Sequence, residues 1–290
     1  MIDAHHHLWR YVPEDFAWIG PGMESIARDF LADELARDLA ASGVTAAVSV
    51  QARQSVEETR VLLEVAAEYE QSIGVVGWLP LRDSDLLARH LAEFADAADL
   101  VGVRHVVQDE PAGFLLGDAF NAGVAETISR GLTYDILIFP PQLDEATEFV
   151  ARHESGRFVV DHLAKPSIRP DRFDDDWRNA IARLARHDNV AVKWSGLTTE
   201  VVGDVWNDEL LRPYWDTILE LFGPERIMLG SDWPVCLLRT EYRRWFECCE
   251  KFVGELSSPE QRRVREETAI ESYNLKYAVS AAADTPAVEI

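Results

Sequence analysis

Cysteine is scarce in this sequence. Only Cys236, Cys248 and Cys249 occur in 290 residues, an odd number, two of them adjacent and none in a C-x-x-C pair. That excludes a disulfide framework and fits reduced thiols, as in a cytoplasmic protein. Positive charge is short as well: 28 Lys and Arg stand against 51 Asp and Glu, a formal net charge of -23. Such a surface repels polyanions, which excludes nucleic acid and anionic membranes as expected partners. No apolar run reaches the ~18 residues of a membrane-spanning helix, and no signal-peptide pattern opens the chain. The expected partner is a small molecule, with a homo-oligomer left open.

Apolar material is not lacking, since hydrophobic residues make up 47% of the chain. Short β-branched runs apolar on both faces alternate with stretches of helical periodicity, the pattern of strands buried in a parallel sheet. The predicted strands are 1–4, 46–51, 73–81, 100–107, 134–139, 158–162, 190–196 and 226–234. The predicted helices are 29–42, 56–71, 83–97, 118–130, 143–153, 177–187, 209–221 and 241–255. Gly43, Gly131, Gly156 and Gly223 fall where helices should stop. Eight strand–helix units predict an α/β fold, a single (β/α)8 barrel, regular or distorted, over residues 1–280, followed by a tail at 281–290. A doubly wound dinucleotide fold should carry a glycine-rich loop after its first strand; here that loop reads HHHLW. Residues 10–28 form a long first βα loop with Tyr11, Phe16, Trp18 and Met23, placed to cap the barrel mouth or to plug it.

In such a barrel the chemistry sits at the C-terminal strand ends. Five of the eight histidines fall there: His5, His6, His7, His105 and His162. His90, His153 and His187 belong to predicted helices and read as solvated or capping residues. On an extended strand end, His5 and His7 share one face and His6 points away. Two imidazoles on one face, a histidine ending the sixth strand and Asp232 ending the eighth make a set able to bind a divalent metal or grip a substrate oxygen.

That constellation resembles the amidohydrolase superfamily, in its amidohydrolase-related lactonase branch. The stretches that carry the resemblance are IDAHHHLW, SVQARQS, GVRHVVQDEP, VVDHLAKP, VAVKWSGL and GSDWPVC, in that order, with ESYNLKYAV similar to the family's closing helix. WRYVPEDFAWIG, RHVVQDE and SDWPVCLL look most like its sugar-lactone hydrolases. The resemblance implies that His5, His7, His162 and Asp232 are metal ligands for one ion, zinc or manganese, although some members of the branch work with none. No lysine ends a middle strand to bridge two metals.

The resemblance also implies that Asp232 activates water, with His162, His105 and Arg104 in catalytic roles, and that Arg104, His105 and Gln108 face the substrate. Gln51, Gln108 and the faces of Trp9, Trp18 and Trp233 are the expected sugar-binding groups. Against these roles, Asp232 could cap the last barrel helix, and Asp161 reads as structural, turned from the mouth. Asp135 and Lys193 read as an interior pair, and Lys165 as a solvated loop residue. Ser195 and Ser231 lack a G-x-S-x-G elbow, which disfavours a serine nucleophile. The expected reaction is hydrolysis of a sugar lactone to its aldonic acid. The alternatives are a pyrone dicarboxylate or muconolactone hydrolase, a zinc-dependent decarboxylase of the same superfamily, and a non-catalytic sugar-binding barrel.

Overall fold

The computed structural model describes residues 1–203 and 205–277; the tail predicted at 281–290 lies outside them. Eight strands form one sheet in sequence order: β1 (Ile2–His6), β2 (Ala46–Val50), β3 (Ser72–Gly77), β4 (Leu100–Val106), β5 (Thr133–Leu137), β6 (Phe158–Val160), β7 (Val190–Trp194) and β8 (Ile227–Leu229). Every neighbouring pair is parallel. The helices that return the chain are α1 (Ala32–Ser42), α2 (Val56–Glu68), α3 (Ser84–Glu93), α4 (Asp118–Ser129), α5 (Leu143–Ala151), α6 (Asp175–Leu184), α7 (Asp208–Phe222) and α8 (Tyr242–Val253). This is the predicted (β/α)8 barrel. The seam between its ends is closed just past β8, where Asp232 N donates to His5 O at 2.8 Å and His7 N to Trp233 O at 2.6 Å.

Most strands end earlier than their apolar runs suggest, because the chain curls into the loops that carry the site. β6 stops at Val160, so Asp161 and His162 belong to the following turn. β1 is the exception and extends through His6. Its register against β2 steps from Asp3↔Ala47 to His6↔Ser49, so three residues on β1 span two on β2. This one-residue bulge keeps both Asp3 and His6 on the outer face. Asp3 accepts from Tyr242 Oη of α8 at 3.0 Å and from Ser231 Oγ at 2.6 Å, and His6 Nε2 meets Ser49 Oγ at 2.9 Å. His5 and His7 are thereby aimed at the barrel axis.

Inside the barrel, Ala4, Val48, Val50, Val76, Val159, Ala191 and Met228 pack together. Past α8 the chain continues as a helical run, α9 (Ser258–Arg262), a π-helical turn and α10 (Thr268–Tyr273). Tyr273 and Leu275 complete the interior cluster from this end. The first βα loop both plugs and caps. Trp9 and Phe30 pair backbone to backbone around the buried Phe16, while Asp15, Ala17 and Trp18 line the mouth. Among the described residues no helix is long and apolar enough to cross a membrane.

Candidate active site

A layer of charge lies directly above the apolar interior. Lys193 Nζ of β7 sits 2.5 Å from Asp135 Oδ2 and 2.9 Å from Asp161 Oδ1, all three residues fully buried. Tyr273 Oη donates to Asp135 at 2.8 Å, and Arg104 Nη1 to Asp161 Oδ2 at 2.8 Å. Each buried charge therefore faces an opposite one, as burial demands. The expected Asp135–Lys193 pair is present. Asp161 departs from expectation: it faces the barrel interior beneath the histidines rather than away from it.

On this layer stand the imidazoles. His5 Nε2 is 3.3 Å from His7 Nε2 and 3.7 Å from Asp232 Oδ1. His7 Nε2 lies 3.3 Å and His162 Nε2 3.7 Å from the same oxygen. Each Nδ1 has a partner elsewhere: Val50 O for His7 at 2.8 Å, Ser195 Oγ for His162 at 2.9 Å and Asp161 Oδ1 for His5 at 3.2 Å. A carbonyl only accepts, so His7 carries a proton on Nδ1 and faces Asp232 with Nε2. The 3.3 Å between His7 Nε2 and Asp232 Oδ1 accommodates a shared proton, or one divalent ion ligated by both.

His5, His7 and Asp232 offer ligand atoms within 4.8 Å of one another, as do His5, Asp161 and His162. Among the described residues, Asp232 is the sole carboxylate facing the three Nε2 atoms, and the Arg104 guanidinium is 3.3 Å from His5 Nε2. That balance of charge suits one divalent ion, not two.

Burial holds His162 down to about 4 and His5 well below its ordinary value, the latter against the pull of Asp161. Both are neutral at pH 7. Burial works against ionised Asp232, but the adjoining His162 and His7 outweigh it and keep the carboxyl below its usual range. Neutral imidazoles beside a carboxylate are the protonation states metal binding requires. Asp232 itself has φ of 58°, an unusual left-handed conformation for a non-glycine residue, on the floor of a cavity.

That cavity, of about 350 Å³, is lined by His7, His162, Asp232, Arg104, Gln108 and Trp18 from the expected set. Arg53, Gln54, Asp15, Asp109 and Lys165 also line it. Of these five only Lys165 was singled out from sequence, as a solvated loop residue, whereas it lines the cavity; Arg53 and Gln54 lie inside the SVQARQS stretch.

Five expected site residues do not line the cavity: His5, fully buried beside His7 and Asp232, and four that are engaged elsewhere. His105 follows inward-facing Arg104 on β4 and so points outward. There its Nε2 meets Glu110 Oε1 at 2.8 Å, its Nδ1 accepts from Trp78 Nε1 at 3.3 Å, and its ring stacks on Phe114. Gln51 is fully buried, its side-chain Nε2 donating to Arg104 O while its backbone carbonyl accepts from Arg104 Nη2. Trp9 spends its indole N–H on Arg28 O. Trp233 is fully buried, edge-on to Phe30.

The sequence model of an amidohydrolase family matches residues 2–275. The chain belongs to this family. Among characterised amidohydrolases, it is 38% identical to the L-fucono-1,5-lactonase of Burkholderia multivorans over 94% of this chain and 96% of that protein. It is 35% identical to the L-fucono-1,5-lactonase of Burkholderia ambifaria, over 87% and 89%. The crystal structure of an amidohydrolase from Burkholderia multivorans with bound zinc superposes with a TM-score of 0.89 at 38% identity, covering 94% of this chain and 99% of that one.

Proposed function

We propose that this amidohydrolase is a carboxylic ester hydrolase that opens a neutral sugar lactone of the L-fuconolactone kind to its aldonic acid. The observation that carries the reading is Asp232: a buried carboxylate, held ionised, beside three imidazoles on the floor of a cavity. A binding protein has no need of a general base in that position.

Hydrolysis requires removal of a proton from water, stabilisation of the oxyanion at C1 and protonation of the departing ring oxygen. Asp232 takes the water proton and returns it to the ring oxygen. Arg104, fixed by Asp161 and the Gln51 carbonyl, stabilises negative charge from the cavity wall. A divalent ion held by His5, His7 and Asp232, with His162 alongside, would lower the pKa of water and polarise the carbonyl. His162, kept in place by Ser195, presents its Nε2 to Asp232.

The neutral substrate follows from the lining. Arg53, Arg104 and Lys165 are matched by Asp15, Asp109 and Asp232, so the cavity has no excess positive charge to draw a dicarboxylate into a protein of net charge -23. Gln54, Gln108 and Asp109 suit hydroxyl groups, and Trp18 offers an apolar ring face at the mouth.

The test is a pH-indicator assay with L-fucono-, L-rhamnono-, D-arabino- and L-galactonolactones and a pyrone dicarboxylate, each with and without chelator. Acid release from the sugar lactones, lost in Asp232→Asn, is expected. Release from the pyrone dicarboxylate alone would overturn the neutral-sugar assignment, and release from none would overturn the lactonase reading.

A further inference from the structure

Four consecutive residues that are not glycine, His162, Leu163, Ala164 and Lys165, have φ of 52°, 53°, 58° and 54°. The left-handed region forces Cβ against the following carbonyl oxygen, and L-residues enter it singly, not in runs. Here the run is clamped. Leu163 and Ala164 are fully buried, Trp177 Nε1 donates to Leu163 O at 2.7 Å, and Lys165 N donates to His162 O at 2.8 Å. In a turn of about three residues, positions i and i+3 share a face. His162 and Lys165 both line the cavity accordingly. Strain held this way marks a functional position.

The Lys165 ammonium is otherwise uncommitted. Arg53 is paired with Asp15 and Arg104 with Asp161. Among the described residues, Lys165 Nζ makes neither an ion pair nor a hydrogen bond; its one close feature is the Phe139 ring, 5.4 Å away. Its charge is nevertheless felt by His162, Asp232 and Glu200. A cation with no ion-pair partner among the described residues thus lines the same cavity as the base and His162.

We propose that Lys165 is a catalytic residue whose ammonium donates to the C1 oxygen of the lactone. This rests on the lactonase reading. The C1 oxygen is a carbonyl in the substrate, an oxyanion in the tetrahedral intermediate and a carboxylate oxygen in the product. Water oxygen bonds to C1, its proton passes to Asp232, and the carbonyl electron pair moves onto the C1 oxygen facing Lys165. On collapse the C1–ring oxygen bond breaks, the ring oxygen takes the proton from Asp232, and the new carboxyl group releases its proton to solvent. Lys165 keeps its protons throughout.

The test compares the wild type with Lys165→Met, Lys165→Gly and Lys165→Arg on L-fucono-1,5-lactone, with L-fuconate as product inhibitor. Glycine suits a φ of 54°, so that variant removes the charge without burdening the fold. The Met and Gly variants should lose about 10²- to 10³-fold in kcat. Their KM should change by less than about fivefold, the inhibition constant of L-fuconate should rise, and the bound-metal content should not move. Lys165→Arg should recover part of kcat. A wild-type enzyme that turns over while both Met and Gly variants stay within about threefold of its kcat would overturn this proposal alone. A wild type inert toward every lactone would overturn the lactonase reading and this proposal with it.

Discussion

Asp161 Oδ1 lies 3.2 Å from His5 Nδ1, while Asp161 Oδ2 accepts from Arg104 Nη1 at 2.8 Å. One buried carboxylate therefore orients an imidazole and a guanidinium together. Arg104 and Lys193 can only donate, and they meet His5 at Nε2 (3.3 Å) and Nδ1 (3.1 Å), so the imidazole is held between two cations with Asp161 beside it. Asp161 is held well below its ordinary value: burial pushes it up, and Lys193, His5 and Arg104 more than reverse that. Replacing it by asparagine leaves Lys193 and Arg104 short of a counter-charge. Asp161→Asn should cost about 3–5 kcal/mol of stability and about 10- to 100-fold in kcat/KM. Denaturant midpoints and initial rates check this, and full activity in a destabilised variant would show that Asp161 does not orient His5.

Gly196, with φ of 66°, forms the wall behind His162 and Asp232. A Cβ there would lie 2.5 Å from His162 Nδ1 and 3.1 Å from Asp232 Oδ2. Gly196→Ala should lower kcat/KM by about 10²-fold through displacement of both groups. The backbone penalty alone should be about 1–2 kcal/mol. Gly43, with φ of 68° and open space around its added Cβ, is the matched control. Gly43→Ala should show the same loss of thermal stability with unchanged rates. Equal activity in the two variants would rule out steric displacement at Gly196.

The order of the eight strands and the shared face of His5 and His7 were legible because parallel strands buried on both sides leave continuous apolar runs and because a strand alternates. The phase of β4 was not. LVGVRHV has no polar residue before Arg104 and His105 to show which of the two faces the axis, and the pairing Arg104↔Asp135 with β5 decides it. Alternation alone also hid the bulge that aims His5 inward. Arg53, Gln54 and Lys165 sit on loops, where no period exists to read. The left-handed turn at residues 162–165 contains none of the glycines that would announce it.

Glu58 links pH to the loop that carries Arg53 and Gln54. Its carboxylate accepts the backbone N–H groups of Ala52 and Arg53 at 3.1 and 2.7 Å, and burial pushes it up to about 7. A raised value means that the folded state holds a proton the unfolded chain has already released above its ordinary 4.5. Stability from this group therefore falls as pH rises from about 4.5 to about 7, and the penalty stays constant above that. Glu58→Gln imitates the protonated form. It should raise the Tm relative to wild type at pH 8 and match it at pH 5. A Glu58→Gln variant less stable than wild type at pH 8 would mean that the ionised carboxylate stabilises the loop.

Metal content separates the residues at the centre from those turned away from it. His7 Nε2 and Asp232 Oδ1 face one another at 3.3 Å, whereas His6 and His105 have both chain neighbours and hydrogen-bond partners on the outer face of the barrel. The isolated protein should carry about one divalent ion per chain. Chelation should lower its Tm, and added zinc should restore it by mass action. His7→Asn and Asp232→Asn should each lose the ion, and Asp232→Asn should also lose about 10²- to 10⁴-fold in turnover. His6→Asn and His105→Asn should keep the ion, because neither imidazole reaches the centre. Elemental analysis of the purified variants reads the stoichiometry directly. Loss of metal from His105→Asn with retention in His7→Asn would move the site to the outer face of β4, and the inward-facing set would then have to act without a bound ion.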